Sequence, residues 1–372
     1  MRIAVDARPL AHPLTGIGRY TESLLKRLVR MGHQWYLYSD RPITPRFPLG
    51  ERVQLRVGNA RPGTALSLVY SQLVFPRWAR GDCVDIFWSP RHHLPLIMPR
   101  RVARVVTVHD LVWKRHPQTM RGSNRLLELL LMGPSLRGAD QVICVSDFTA
   151  SEVVSSYPAL AGRCTTIAEA AEAITEDYEE RYPLPARPYL LFVGTLEPRK
   201  NLPRLLDAFG MACRTDAFQP LLLVVGAEGW GNENLAGKLE ALGLADRVVL
   251  KGRVSDAELR ELYAGCTGLL MPSLYEGFGL PALEAMWHGA PVIAGDSGAL
   301  PEVVGDAGLL VDPLSTEAIA EAILKLCGDP DLHERLSRRA SARAATYSWD
   351  RAAQDTLDVF SSVHDARQPD LI

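Results

Sequence analysis

The feature that most constrains the fold is an alternation of short β-rich runs with longer amphipathic stretches. The first series of predicted strands covers residues 2–7, 35–39, 53–57, 86–89, 104–110 and 141–146. Helical patterns separate several of them, as at 19–32 and 123–139. Parallel strands need long crossover connections, which are usually helices, so this alternation predicts a parallel sheet covered by helices.

The alternation is interrupted once and then repeats. Residues 169–188, EAAEAITEDYEERYPLPARP, are rich in acids and prolines and predict a polar connector. Beyond them, a second series of predicted strands covers residues 189–195, 221–227, 247–253, 268–273, 290–295 and 308–313. A chain of 372 residues suits two domains better than one. We therefore predict an α/β protein of two doubly wound domains that face each other.

The predicted domains cover residues 1–180 and 187–346. An amphipathic helix at 347–366 follows the second domain, and we expect it to pack back on the first. In open parallel sheets, ligands bind at the carboxyl ends of the strands. The loops that follow the predicted strands are therefore the places to look for functional residues.

Composition argues against several classes of protein. The net charge of −2 gives no indication of nucleic-acid binding. The first residues, MRIAVDARPL, lack the apolar core of a signal peptide, and no apolar run reaches the roughly 18 residues that span a bilayer. The six cysteines, without any C-x-x-C spacing, are typical of reduced thiols rather than of zinc ligands or disulfides. We expect a cytoplasmic protein.

One segment, SLYEGFGLPALEAMWHGAPVIA at residues 273–294, concentrates chemistry after a predicted strand. Glu276 lies in a glycine-containing loop, and Glu284 lies about a turn inside the predicted helix that follows. Gly277 and Gly279 would let backbone N–H groups approach a ligand, and the helix N-terminus adds a partial positive charge. Phosphate and a vicinal diol such as ribose suit this loop. The alternative is an ordinary strand–helix loop with two solvated glutamates.

Three other segments near strand ends carry candidate residues. In EPRKN, Arg199 and Lys200 are adjacent cations suited to a phosphate. In TVHDLVW, His109 ends a predicted strand. GIGRY, with Gly16 and Gly18, opens the first predicted helix and would expose backbone amides. Taken singly, each has a structural explanation, which is a solvated helix start, a structural histidine or an ordinary turn.

Together these segments resemble a known family. EGFGLPALEAMWHGAPVIAGDSGALPEVVGDAG resembles the signature of retaining glycosyltransferases of family 4, which share the GT-B fold of two Rossmann-like domains facing a cleft. GIGRY, TVHDLVW, VSDFTASEV and VGTLEPRKNLPRLLDAF stand, in order, where that family has motifs. The resemblance covers nearly the whole chain. It is specific for the family but not for the transferred sugar.

The resemblance implies roles for individual residues. Glu276, His109 and Lys200 would be catalytic, with Lys200 on the departing diphosphate and His109 on a hydroxyl of the transferred sugar. The residues implied in donor binding are Gly16, Gly18, Arg199, Lys200, Glu276, Gly277, Phe278, Gly279, Leu280 and Glu284. The family works without a bound divalent cation, so the resemblance implies neither a metal nor a cofactor.

The chain departs from the family pattern at Thr195, where many members have arginine directly after the glycine of this motif. A second cation beside Lys200 is still expected, because a nucleoside diphosphate leaves with strong negative charge. Arg199 and Arg253 are the candidates, and we favour Arg199.

The subtype resembles bacterial mannosyltransferases of O-antigen and other surface polysaccharides, which implies GDP-mannose as donor. UDP-glucose and nucleotide-rhamnose remain open. The acceptor would contact the first domain, where residues 91–125 carry eight Arg/Lys and one acid, and residues 66–81 mix Phe75 and Trp78 with arginines. This combination suits an anionic membrane surface and a lipid-linked glycan acceptor, with the protein peripheral on the cytoplasmic face. The alternative is a soluble basic face over a buried helix.

Two routes to retention remain open at this point. A covalent route needs a carboxylate opposite the leaving group, and Glu276 is the obvious candidate. In the front-face route, favoured by the resemblance, the diphosphate oxygen takes the acceptor's proton while Glu276 holds sugar hydroxyls. The rival functions are a sugar-nucleotide epimerase of the same fold and a non-catalytic scaffold subunit that binds nucleotide sugars.

Overall fold

The chain divides into two compact units, Met1–Glu169 with Trp349–Ile372, and Ala170–Ser348. The computed structural model describes residues 1–11, 15–60, 65–120, 122–172, 182–215, 218–231 and 234–367. The first segment of the first unit ends at Glu169, before the boundary at residue 180 expected from the sequence. The Glu169 carboxylate lies within hydrogen-bond distance of His109, which belongs to the same unit. Most of the expected connector, residues 173–181, lies outside the described part of the chain.

The first unit is built on a sheet of seven parallel strands in the order β3-β2-β1-β4-β5-β6-β7. The strands are β1 Arg2–Asp6, β2 Gln34–Ser39, β3 Val53–Val57, β4 Ile86–Ser89, β5 Ala103–Val108, β6 Gln141–Cys144 and β7 Cys164–Thr166. The central strands β1, β4 and β5 are buried on both faces, as expected where helices cover both sides of a sheet. Strand order reverses between β1 and β4, so ligands are expected at the carboxyl ends of these two strands.

Helices connect these strands. They are α1 Gly16–Leu28, α2 Ala65–Val69, α3 Phe75–Gly81, α4 Val112–Arg115, α5 Gly122–Gly138 and α6 Asp147–Ser156. A π-helical turn, Tyr70–Val74, joins α2 to α3 without a break. Among the described residues, no helix is both long enough and apolar enough to cross a membrane.

The last described helix, Trp349–Arg367, returns to the first unit and packs on α1. Trp349 lies edge-on to Tyr20, with ring centroids 6.0 Å apart. Phe360 is fully buried against Trp35 and Trp88. This helix, numbered α14 in chain order, therefore supplies large side chains to the core of the first unit.

The second unit has a sheet of six parallel strands in the order β10-β9-β8-β11-β12-β13. The strands are β8 Tyr189–Val193, β9 Leu221–Val225, β10 Val248–Gly252, β11 Gly268–Met271, β12 Val292–Gly295 and β13 Gly308–Val311. The helices are α7 Leu202–Ala212, α8 Leu235–Ala241, α9 Asp256–Gly265, α10 Leu280–Trp287, α11 Leu300–Val304, α12 Thr316–Gly328 and α13 Pro330–Ala344. Strand order reverses between β8 and β11, which marks their carboxyl ends as the expected ligand site.

The α/β fold of two doubly wound units predicted from the sequence is confirmed, and every predicted strand is present. Strand β7 was not predicted, because a run of three residues is too short to show a hydrophobic pattern. Several predicted strands ran one or two residues too far, because residues such as His109 belong to the loops that follow the strands.

Candidate active site

Three loops at the carboxyl edge of the second sheet are tied together by one asparagine. Asn201 precedes α7 in the left-handed conformation, with φ of +61°, which asparagine tolerates better than most residues. Its side-chain amide donates to the carbonyl of Pro272, after β11, at 3.0 Å and to that of Pro313, after β13, at 2.6 Å. Lys200 is therefore held in a fixed place relative to the loop that carries Glu276.

That fixed geometry produces a cluster of four charged side chains. The Lys200 Nζ donates to one oxygen of Glu276 at 2.6 Å, and Arg199 Nη1 donates to the other at 2.5 Å. Arg199 Nε also pairs with Glu197 at 2.6 Å. Two cations thus face two carboxylates, and the formal charges of the four side chains cancel. Arg199 thus lies beside Lys200 in this cluster, whereas Arg253 lies exposed after β10. Which of the two arginines contacts the diphosphate stays a prediction.

The opposite charges in this cluster have to be paired because Lys200 and Glu276 are buried. Lys200 and Glu276 are only 7% and 5% exposed. Burial alone would raise the pKa of Glu276, but Arg199 and Lys200 outweigh it and lower that pKa to about 2. Burial lowers the pKa of Lys200, and the attraction of Glu276 opposes this. Glu276 is therefore ionised at neutral pH, and an anion that replaced it would meet two preorganised cations.

Close packing leaves the backbone of Glu276 little freedom. Gly298, after β12, has φ of +62°, and a Cβ added there would lie 2.4 Å from the Glu276 carbonyl oxygen. The same carbonyl accepts a hydrogen bond from the Ala299 amide at 2.9 Å. Only glycine fits against this turn without strain. The loop after β12 therefore belongs to the site, although it carries no charged side chain in contact with the cluster.

Four other residues predicted to bind the donor, Phe278, Gly279, Leu280 and Glu284, differ in burial and in their contacts. Gly279, with φ of +109°, directly precedes α10. The side chains of Phe278 and Leu280 are buried, and the Phe278 ring packs edge-on against Tyr347. If Phe278 and Leu280 contact a nucleotide sugar, they would therefore do so through their backbone atoms. Glu284 lies one turn inside α10 and accepts a hydrogen bond from the Tyr263 hydroxyl at 2.9 Å.

A pocket of about 580 Å³ lies at the carboxyl ends of β8, β9 and β10. Its lining residues include Trp230, Gly226 and Glu228, and Glu228 is exposed. A Cβ added at Gly226 would lie 1.9 Å from the carbonyl oxygen of Gly194, and one added at Gly194 would lie 3.3 Å from Cε of Lys200. Gly226, which lines the pocket, thus packs against Gly194, which in turn lies beside Lys200 of the charged cluster.

In the first unit, His109 lies directly after β5, as predicted. Its Nε2 lies 2.9 Å from the carbonyl of Pro90 and its Nδ1 lies 3.0 Å from Glu169. A carbonyl oxygen only accepts, so Nε2 donates to Pro90, while Nδ1 lies against the Glu169 carboxylate. Both ring nitrogens therefore have protein partners. The expected contact of His109 with the sugar stays a prediction, and it would require release of the Pro90 carbonyl.

The predicted glycines of the first unit are at the N-terminus of α1. Gly16 begins the helix and is exposed, and a Cβ added there would meet no atom within 4 Å. Gly18 is buried. The open space at Gly16 leaves room for a ligand near the first amides of this helix, but residues 12–14, which precede it, lie outside the described part of the chain.

Sequence reasoning missed several residues that complete these sites. Glu197 and Asn201 flank the predicted cations, and an asparagine directly before a helix is itself a recognisable signal. Glu228 and Trp230 follow a predicted strand, so the strand-end rule applied to LLLVVGAEGW would have found them. Glu169 stands at the start of the acidic run that predicts a connector, and nothing in that run indicates its contact with His109.

Comparison with known proteins agrees with this architecture. The family model "Glycosyltransferase Family 4" matches residues 14–170, and "Glycosyl transferases group 1" matches residues 174–343. The O-antigen chain mannosyltransferase B of Escherichia coli is 33% identical in an alignment of 384 positions that covers 97% of this chain and 99% of that protein. Sucrose-phosphate synthase from Thermosynechococcus elongatus superposes with a TM-score of 0.80 at 23% identity, over 98% of this chain and 100% of that one. Anabaena HepE, solved in complex with UDP-glucose, superposes with a TM-score of 0.73 at 18% identity, over 97% and 100%.

Two parallel-sheet units of this topology form the GT-B fold. At these identities, the structural likenesses establish the fold alone. The chain belongs to glycosyltransferase family 4, as its sequence resemblance implied.

Proposed function

We propose that this glycosyltransferase transfers mannose from GDP-mannose, with retention, to a lipid-linked glycan acceptor in O-antigen synthesis. The observation that carries the proposal is the buried pairing of Lys200 and Arg199 with Glu276 beside the pocket of Glu228 and Trp230. The similarity to an O-antigen chain mannosyltransferase supports the sugar and the product. We place the reaction at the cytoplasmic face of the membrane, with the acceptor bound by the first unit.

The pocket of the second unit supports guanine as the base. Guanine presents two adjacent donors, N1–H and N2–H₂, which match the two oxygens of a carboxylate such as Glu228. Uracil presents one N–H between two carbonyl oxygens, and a carboxylate opposite those oxygens would repel them. The Trp230 indole offers a surface on which a base can stack. The link through Gly226 and Gly194 would lead the diphosphate from this pocket to Lys200.

The charged cluster supports the front-face route to retention. In this proposal the diphosphate displaces the Glu276 carboxylate from Lys200 and Arg199, and the two cations stabilise the charge that develops as the diphosphate leaves. The leaving oxygen accepts the proton of the acceptor hydroxyl. Glu276, so released, holds sugar hydroxyls and stabilises the oxocarbenium-like charge.

A covalent route is less well supported by this geometry. A nucleophile must attack the face opposite the leaving group. Glu276 instead shares its cations with the proposed diphosphate, which puts the carboxylate beside the leaving group.

The first test is the nucleotide preference. We expect GDP and GDP-mannose to raise the melting temperature more than UDP-glucose, UDP-N-acetylglucosamine or dTDP-rhamnose, because a ligand that binds only the folded state stabilises it by mass action. Glu228→Gln should reduce the preference for GDP over UDP by about tenfold or more, as expected for loss of a paired base contact. Glu240→Gln, exposed on α8 outside the pocket lining, is the matched control.

Each other outcome has a definite meaning. A UDP- or dTDP-selective shift would overturn the mannosyl donor and leave the family intact. Unchanged preference in Glu228→Gln would remove this residue from base recognition. Stabilisation by a nucleotide sugar, together with no hydrolysis or transfer from any donor, would favour the scaffold function.

We also propose that the reaction needs no divalent metal, because Lys200 and Arg199 supply positive charge where the diphosphate would bind. Transfer should therefore continue at an unchanged rate in excess chelator. The measurement is initial rate with EDTA, with added Mg²⁺ and with added Mn²⁺. Loss of activity in chelator that either ion restores would contradict the proposal.

A further inference from the structure

The first unit has an unusual apolar surface, which we call the leucine surface. Its members are large aliphatic side chains that remain exposed: Ile97 at 77%, Leu130 at 61%, Leu126 at 57%, Leu129 at 50%, Leu73 at 50% and Leu96 at 44%. Single exposed leucines are common on proteins, but a group of this size marks an interaction surface.

Hydrogen bonds show that the three segments of this surface are neighbours. Gln72, beside Leu73, donates to the carbonyl of Leu94 at 3.2 Å and accepts from the amide of Leu96 at 2.9 Å. The amide of Leu94 in turn donates to Ser135 of α5 at 3.0 Å. The loop that carries Ile97 therefore lies between the π-helical turn and α5.

Helix α5 explains why these side chains are not part of the core. Its inner face is already formed by Met132, Ser135 and Leu136, which are at most 1% exposed. Leu126, Leu129 and Leu130 follow the i, i+3, i+4 spacing of a second face, which points outward. A helix that is apolar on both faces needs an apolar environment on each.

The surroundings of the leucine surface are strongly basic. Residues 65–138 contain eleven Lys/Arg and four acids. Each acid is bonded to a neighbouring group within the protein, namely Asp82 to Arg56, Asp85 to the amide of Arg2, Asp110 to the amide of Val112, and Glu128 to His93. Among the described residues of the segment, the exposed cations are Arg77, Arg80, Arg100, Arg101, Lys114, Arg125, Arg137 and Arg115, the last of which pairs with Glu152.

We propose that the leucine surface docks on an anionic lipid bilayer, with its aliphatic side chains in the acyl boundary and its arginines at the headgroups. Apolar side chains surrounded by cations are the pattern of interfacial membrane binding. Arg125 directly precedes Leu126, and Arg77 donates to the carbonyl of Leu73 at 3.2 Å. The surface would bring the first unit to a lipid-linked acceptor, and only this biological role rests on the proposed function.

The proposal corrects the sequence-based expectation about which residues face the membrane. Phe75 is fully buried, and Trp78 packs against Phe75 and Tyr38. Phe75 belongs to the core and cannot provide the aromatic contact expected from the sequence, and the half-buried Trp78 packs against that core. The exposed aliphatic side chains of the π-helical turn, the loop and α5 take that place.

Charge argues against a second copy of the chain as the occupant. A two-fold dimer would pack the leucine surface against itself and bring the two sets of arginines together. Like charges directly opposed across an interface oppose association. An anionic bilayer satisfies the same arginines.

The test is sedimentation of the full-length protein with lipid vesicles, without donor or acceptor. We expect binding to phosphatidylcholine–phosphatidylglycerol vesicles and little binding to pure phosphatidylcholine. The triple variant Leu126→Gln, Leu129→Gln, Leu130→Gln should bind at least about tenfold more weakly, since insertion strength scales with buried apolar area. Arg77→Gln with Arg125→Gln should weaken binding only at low salt. Leu314→Gln, at an exposed leucine of the second unit, is the matched control.

Three results would overturn the proposal: no vesicle binding by the unaltered protein, equal binding by the triple variant, or a dimer in sedimentation that the triple variant abolishes. Circular dichroism and the melting temperature without ligand are measured on each variant to show that the first unit is folded. Because vesicle binding requires no nucleotide, a failure here is distinguishable from a failure of the proposed donor.

Discussion

Replacing Glu276 by glutamine should nearly abolish sugar transfer and yet strengthen the binding of GDP. Lys200 and Arg199 are paired with the Glu276 carboxylate, so an incoming diphosphate has to compete with it. The neutral amide removes this competitor and leaves both cations for the phosphates. Transfer should fall by about 10²–10³-fold, the usual loss when one group that stabilises developing charge is removed. Initial rates and the affinity for GDP are the two measurements.

The same variant should be less stable when no nucleotide is present. Removing one partner of a buried ion pair costs about 3–5 kcal/mol, because the other charge stays buried without compensation. GDP should restore much of this loss, so the melting temperature of Glu276→Gln should rise more with GDP than that of the unaltered protein. Asp207→Asn, which breaks a partly exposed pair with Lys238, is the matched control and should change neither quantity much.

Acid provides a further check on the Glu276 pair. The folded-state pKa of Glu276, about 2, lies below its ordinary value of 4.5. Its ionised form therefore stabilises the fold fully above about pH 4.5, and this contribution is lost as the pH falls towards 2. Glu276→Gln should lack this part of the acid dependence.

The prediction about nucleotide binding has its own contrary outcome. Weaker binding of GDP by Glu276→Gln would contradict the competition between Glu276 and the diphosphate.

Replacing Lys200 by methionine should have the opposite effect on nucleotide binding. Methionine fills much of the same space without a charge, so the pocket keeps its shape while the diphosphate loses a buried cation. We expect the GDP-induced rise in melting temperature to disappear and transfer to fall by about 10²–10³-fold. Glu276 would keep Arg199 as its only partner in the cluster, so some loss of stability should accompany the change.

The control for this variant is Lys238→Met, at the lysine paired with Asp207. Lys200→Arg is also informative, because a planar guanidinium in the space of a compact ammonium should not restore full activity. An undiminished GDP shift in Lys200→Met would remove Lys200 from the diphosphate site. Opposite shifts in Glu276→Gln and Lys200→Met would be hard to explain by general damage to the fold.

The sheets were predictable because their information is local. Runs such as YLLFV and LLLVV are buried on both faces, so they are apolar throughout and bounded by turn residues. The three-residue β7 lacked such a run. The packing of α14 was less accessible, since an amphipathic pattern shows that a helix has an apolar face but not which partner covers it.

The candidate site was predictable as a set of residue types and only partly as a geometry. Strand-end position and family resemblance together pointed to Lys200, Arg199 and Glu276. Nothing in their spacing revealed that Glu276 would bond both cations, because that contact joins loops 76 residues apart in the chain. The bonds that occupy both nitrogens of His109 were hidden for the same reason. Long-range contacts of this kind follow from the tertiary fold rather than from local sequence.

The return of α14 to the first unit has a consequence for the order of events on the ribosome. Trp349 and Phe360, which fill the core beside Tyr20 and Trp35, are translated only after the whole of residues 170–348. The first unit therefore begins to be synthesised first but cannot finish folding until the end of the chain has been made. The second unit is continuous in sequence and can finish folding while the earlier one still exposes part of its core. During that interval the nascent chain carries an apolar groove that chaperones would be expected to bind.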